Sequence, residues 1–193
     1  MKRFMTGQHL PTNAVLIGGP PCQAYSVVGR SRNKGTAGYK AENDHRHFLY
    51  REYLEVINEF RPAVFVMENV KGILSSRVAE RQIFEIIMAD LKRPDLACGN
   101  DAGLEYVLVA LPAGAKGTPM PSPDDFIVEA ERYGVPQARH RVIIFGVRRD
   151  VFDRAGTVRK LSPAKYVTVW EVINDLPELR PPLSFRGKGM NWL

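Results

Sequence analysis

Val15-Leu16-Ile17-Gly18-Gly19-Pro20-Pro21-Cys22-Gln23 is the stretch on which the fold turns. An apolar segment, the right length for a buried strand, stops at two glycines. Two prolines then stiffen the backbone and hand over to a cysteine. Such a construction presents a thiol at the end of a rigid element. Ala63 to Met67 repeats the pattern as a second apolar strand, ending at Glu68-Asn69.

Working outward, residues 14–18 read as a short buried strand. Residues 19–43 form a loop rich in glycine and basic side chains. Asn43 or Asp44 can cap a helix on which Leu49, Tyr53, Val56, Ile57 and Phe60 recur at helical spacing, and Pro62 ends it. Lys71 to Leu91 reads as a second helix, and Leu104 to Leu111 as a third strand. Residues 112–123, rich in proline and glycine, look like a surface insertion. Phe126 to Ala130 and Val142 to Val147 read as strands with Tyr133-Gly134-Val135-Pro136 turning between them. Val169 to Leu176 reads as a short helix. Alternating strands and helices give an α/β fold with a mostly parallel sheet. The last strands are too close for a helical crossover, so an antiparallel edge is expected.

The chain has 193 residues, 45% hydrophobic and 25% charged, enough for one domain with a substantial core. No apolar run is long enough to span a bilayer. No secretory signal is visible at the N-terminus, which predicts a cytoplasmic protein without membrane association. The net charge of +6 and the pI of about 9.4 favour a polyanionic partner and solubility about equally. Two cysteines, Cys22 and Cys98, make neither a disulfide framework nor a zinc site. His45 and His47 lack companions for a metal set. Cys98, between Pro94 and Gly99, reads as a small hydrophobe.

Open parallel sheets bind ligands beyond the carboxyl ends of their strands. If the first two strands are neighbours, Cys22 and Glu68 share one crevice. A thiol is nucleophilic even when a small fraction is ionised, and nearby arginines enlarge that fraction. A carboxyl at the end of an apolar strand is expected to be partly desolvated, placed to hold or protonate a ring nitrogen. Asn69 also suits a cap on the following helix. Alternation along Gln137-Ala138-Arg139-His140-Arg141 puts Gln137, Arg139 and Arg141 on one side of an extended segment. Two guanidinium forks there suit a planar polar ligand or phosphates, or a protected edge strand.

Gly19-Pro20-Pro21-Cys22-Gln23, Asp44-x-Arg46-x-x-Leu49, Glu68-Asn69-Val70, Tyr133-Gly134-Val135-Pro136 and Gln137-x-Arg139-x-Arg141 occur in that order. Together they resemble the DNA cytosine-5 methyltransferase family, from about residue 14 to 148. The resemblance implies a Rossmann-like class I methyltransferase sheet and methyl transfer from S-adenosylmethionine to C5 of cytosine. It implies that Cys22 adds to C6, that Glu68 holds N3 and the exocyclic amine, and that Arg141 binds O2 with Arg139 in support. Pro21 and Leu49 match cofactor-pocket positions. Gln23, Ser26, Arg46, Asn69 and Gln137 match positions expected to face DNA. The base must leave the duplex for this chemistry, and the loop 23–40 is expected to close over it.

The family's Phe-x-Gly-x-Gly motif, its ribose-holding acidic residue, its target-recognition region and its closing motif do not occur here. The expectation is a central catalytic block, residues 1–160, followed by the start of a linker, 161–193. Alone, such a block is expected neither to bind the cofactor tightly nor to methylate DNA. A partner chain supplying the cofactor half, or self-association, is expected at an exposed sheet face or edge. Rival readings are a tRNA cytosine-5 methyltransferase and a non-catalytic nucleic-acid-binding subunit of the same fold. A thiol redox protein is disfavoured because Cys98 lies far from Cys22, and an amino-methylating enzyme because Cys22 stands where an aromatic residue is needed.

Overall fold

A computed structural model describes residues 11, 13–21, 49–78, 81–113 and 121–177. Its centre is a five-stranded sheet, in which the first two strands lie side by side and the last described strand bonds to three others. The strands are β1 (Val15–Gly18), β2 (Val64–Val70), β5 (Tyr106–Val109), β6 (Ile127–Glu129) and β7 (His140–Arg148). β1 and β2 pair in parallel, with Gly18 opposite Met67. β7 runs antiparallel to β2, β5 and β6. The α/β mixed sheet is the expected architecture. Its reversed strand, however, lies inside the described sheet and not at its edge.

Helix α1 (Tyr50–Phe60) buries Tyr50, Tyr53, Leu54 and Ile57. It ends at Arg61 in the left-handed conformation, whose N–H donates to the Ile57 carbonyl at 2.8 Å. Pro62 cannot continue the helix. The buried side chains of β2 and β7, Phe65, Met67, Val142 and Ile144, join the α1 residues in one core. Helix α2 (Ile83–Lys92) adds Ile83, Phe84, Ile87 and Leu91. The short α3 (Pro94–Ala97) follows, and Cys98 packs half-buried against this core.

Several expectations are corrected. The stretch Lys71–Leu91 is not one helix. Lys71–Ser75 forms a 3₁₀ turn, and β3 (Arg77–Val78) and β4 (Arg81–Gln82) pair antiparallel before α2 begins. The Ser76 hydroxyl donates to the Gly72 carbonyl at 2.8 Å, a local bond that competes with helical continuation. The first strand is only half buried: Val15 is 58% and Ile17 74% exposed. Leu16 and Gly18 face α1, whereas Val15 and Ile17 occupy the opposite face. β2 continues through Val70, so Glu68 and Asn69 lie inside the strand.

After α4 (Arg149–Ala155), the chain returns along the sheet. Leu161 N–H donates to Leu111 O at 2.8 Å, and Ala164 N–H to Arg132 O at 2.9 Å. The helix α5 (Val169–Ile173) is shorter than expected and leaves Trp170 73% exposed. Among the described residues, no helix is long and apolar enough to cross a membrane.

Candidate active site

Two neighbouring strands and one reversed strand build this site. Glu68 pairs with Ile143 and Val70 with Arg141 in the β2–β7 ladder. Glu68 and Arg141 are therefore diagonal neighbours on one face, within reach of long side chains. Arg141 Nε lies 2.9 Å from Glu68 Oε1, and Arg139 reaches the same oxygen at 3.8 Å. Arg141 also donates through Nη1 to the His140 carbonyl at 2.8 Å, which fixes its fork. The expectation of a desolvated carboxyl is corrected: the Glu68 side chain is 41% exposed and ion-paired.

The other oxygen of Glu68 meets the chain just after β1. A Cβ built on Gly19 would stand 3.2 Å from Glu68 Oε2, so glycine there lets the backbone approach the carboxylate closely. Asn69 is buried on the opposite face of β2. Its Nδ2 donates to the Pro20 carbonyl at 3.4 Å, and its Oδ1 accepts from Val70 N–H at 2.9 Å. Asn69 thus ties the Pro20 turn to β2 with both ends of its amide. Its side chain faces this turn inside the protein, not a helix end. Pro20 is buried and Pro21 exposed.

The segment before β7 is not extended as expected. Gln137 N–H donates to Val135 O at 2.7 Å and Arg139 N–H to Gln137 O at 2.8 Å, two successive tight turns. Gln137 is exposed there, and the ion pairs to Glu68 come from Arg139 and Arg141. Cys22, Gln23, Ser26 and Arg46 lie outside the described residues, as do the proposed helix cap at Asn43 or Asp44, His45 and His47. Leu49 is half-buried, one residue before α1. The side chains of Pro21 and Leu49 carry no hydrogen-bonding group and offer only apolar contact.

Sequence reasoning missed one pair. His140 Nε2 donates to Glu131 Oε1 at 2.7 Å, on the other side of β7 from Arg141. The Glu131 backbone N–H first, and the His140 ring next, hold the Glu131 carboxyl below the usual carboxylate range. The sequence signal was available: Glu131 and His140 flank the Tyr133-Gly134-Val135-Pro136 turn.

The C-5 cytosine-specific DNA methylase model matches residues 2–97 and 125–189. The Type II methyltransferase M.Bpa9945I of Bacillus paralicheniformis is 35% identical over 173 residues, covering 86% of this chain and 33% of that protein. A DNA-cytosine methyltransferase of Escherichia coli K12 is 30% identical over 180 residues, covering 90% of this chain and 34% of its own length. The Type II methyltransferase M.AquIA of Picosynechococcus is 30% identical over 183 residues, with 87% of this chain and 62% of that one covered. The chain thus spans about a third of the length of the first two relatives. Matching the family model over most of its residues, with the acid and both arginines gathered at one place, the chain belongs to the C-5 cytosine-specific DNA methylase family.

Proposed function

We propose that this chain carries the base-binding and nucleophile-bearing part of a DNA cytosine-5 methyltransferase. One observation carries the reading: Glu68 Oε1 is shared by Arg141 and Arg139 while Oε2 lies against Gly19, three residues before Cys22 in sequence. The acid, the two cations and Gly19 converge beyond the first strand, where such sheets take their ligands.

In this reading the Cys22 thiolate adds to C6 of an extruded cytosine, and the electron pair of the C5–C6 bond becomes available at C5. Glu68 holds N3 and the exocyclic amine, and Arg141 accepts the developing charge at O2. Arg139 keeps Glu68 and Arg141 in place. S-adenosylmethionine supplies the methyl group when bound. Loss of the C5 proton to a base then expels Cys22 and restores the aromatic ring. Asn69 acts on the turn that presents Cys22, and Gln23, Ser26, Arg46 and Gln137 are the candidate DNA contacts.

Pro21 and Leu49 are the proposed cofactor contacts on this chain. Their side chains offer apolar contact, and a partner chain supplying the polar remainder of the cofactor site is part of this reading. A partner chain or a second copy meeting the β1 face at Val15 and Ile17 fits their exposure. The reading places the protein with DNA in the cytoplasm.

Incubating this chain, assembled with the polypeptide that completes its cofactor site, with S-adenosylmethionine and DNA containing 5-fluorocytosine tests the chemistry. An adduct mapped to Cys22 is expected. Methylation persisting in Cys22→Ser would overturn the thiol mechanism. Calorimetry of the 193-residue chain with S-adenosylmethionine should show no tight binding; micromolar affinity would contradict the assignment of the cofactor site to other polypeptide.

A further inference from the structure

We infer that His140 and Glu131 form a positioning pair that fixes Arg139 and Arg141 on Glu68. The inference rests on the proposed reading of the two arginines as base-site groups.

Residues 130–139 form a loop closed at its base by the Ala130 N–H bond to Arg139 O, 3.0 Å long, and by the pairing of Glu129 with His140. A loop fastened only there could still twist, and its last residue is Arg139. The His140–Glu131 bond adds a side-chain fastening between the 3₁₀ turn Ala130–Tyr133 and the first residue of β7. The Glu131 carboxylate therefore ties the 3₁₀ turn to the residue that separates the two arginines.

His140 acts a second time through its carbonyl, which accepts from Arg141 Nη1. The residue between the arginines thereby orients one through its backbone oxygen and restrains the other through its ring. Charged groups nearby do not replace this bond. Glu129, opposite His140 on β6, is paired with Arg132. Ala164 N–H on Arg132 O pins the far side of the turn, which leaves the His140 side as the point where it can be loosened.

Nuclear magnetic resonance of the ¹⁵N-labelled full chain tests the pair through the Nε–H of Arg141, the proton aimed at Glu68. His140→Ala and Glu131→Ala should speed its solvent exchange about fivefold, the equivalent of one ordinary hydrogen bond. His140→Gln keeps a donor near the Nε2 position and should restore slow exchange. General destabilisation would speed core amides as well, whereas loss of the fastening should be confined to residues 130–141. Unchanged Arg141 exchange in folded His140→Ala overturns the inference. Should His140→Ala not fold, Glu131→Leu carries the same test with the same deciding outcome. Adduct formation on 5-fluorocytosine DNA should slow in His140→Ala and recover in His140→Gln. If the unsubstituted chain forms no adduct once assembled with the polypeptide that completes its cofactor site, the proposed function fails while the resonance experiment still decides the pair.

Discussion

Tyr53 lays its ring over the bare Cα of Gly18: a Cβ there would stand 2.6 Å from Tyr53 Cε2. The ring cannot simply retreat, because the Tyr53 hydroxyl donates to Val66 O at 2.9 Å. Gly18→Ala should therefore destabilise the protein by about 1–3 kcal/mol through overpacking. Gly146→Ala should cost more, since its Cβ would stand 2.2 Å from the Phe65 ring. Urea unfolding checks both, as a lower midpoint at unchanged slope.

Glu68→Gln should retain the fold and lose most adduct formation, because the amide cannot pair with Arg141 or hand a proton to N3. A fall of about a hundredfold or more is expected for a lost acid–base group. Rate of adduct formation on 5-fluorocytosine DNA is the measurement. Near-normal rates would remove Glu68 from the reaction.

Asn69→Leu should leave Val70 N–H without its acceptor and Pro20 O without its donor. Unmade bonds at buried groups cost about 1–3 kcal/mol each. Thermal unfolding should register this loss, and adduct yield should drop further than stability alone explains, because the Pro20 turn is freed.

Asp95 is fully buried and ties α3 to the following loop. Its Oδ2 accepts from Ala102 N–H at 3.0 Å and Leu104 N–H at 2.9 Å, and Arg93 Nε lies 3.2 Å from Oδ1. Burial pushes the carboxyl up, but bonds from Arg93 and from the Leu104 and Leu96 backbone outweigh it and bring it down to about 2. A lowered folded-state value means the stabilisation is complete above the unfolded aspartate value of about 3.9. It is lost as pH falls through about 2. Asp95→Ala should cost about 2–4 kcal/mol near neutrality from its unmade bonds. That difference from the native chain should shrink under acid unfolding.

Much of this was legible in the sequence because it rests on local pattern. Tyr53, Leu54 and Ile57 repeat at helical spacing, and Phe65 and Met67 alternate in a strand, so α1 and β2 follow from periodicity. The family motifs named Glu68, Arg139 and Arg141 as one site, and the structure brings the three together. What escaped depended on individual side-chain and turn bonds and on what covers each face, none of which periodicity encodes. The break after Lys71 hinges on a serine bonding back to Gly72, against an apolar pattern that permits a helix. The exposure of Val15 and Ile17 reflects what covers each face, which an apolar run cannot encode. The tight turns at Gln137 reverse the extended reading of a stretch whose residues alternate well.

β7 has a consequence for the order of assembly. β2, β5 and β6 each bond to it, and neither β5 nor β6 bonds to β2. A nascent polypeptide released before residue 140 would keep only the β1–β2 ladder of this sheet. Folding must wait for the last-made strand to slide between earlier ones, a long-range closure that makes the process slow and exposes sticky strands to chaperones beforehand.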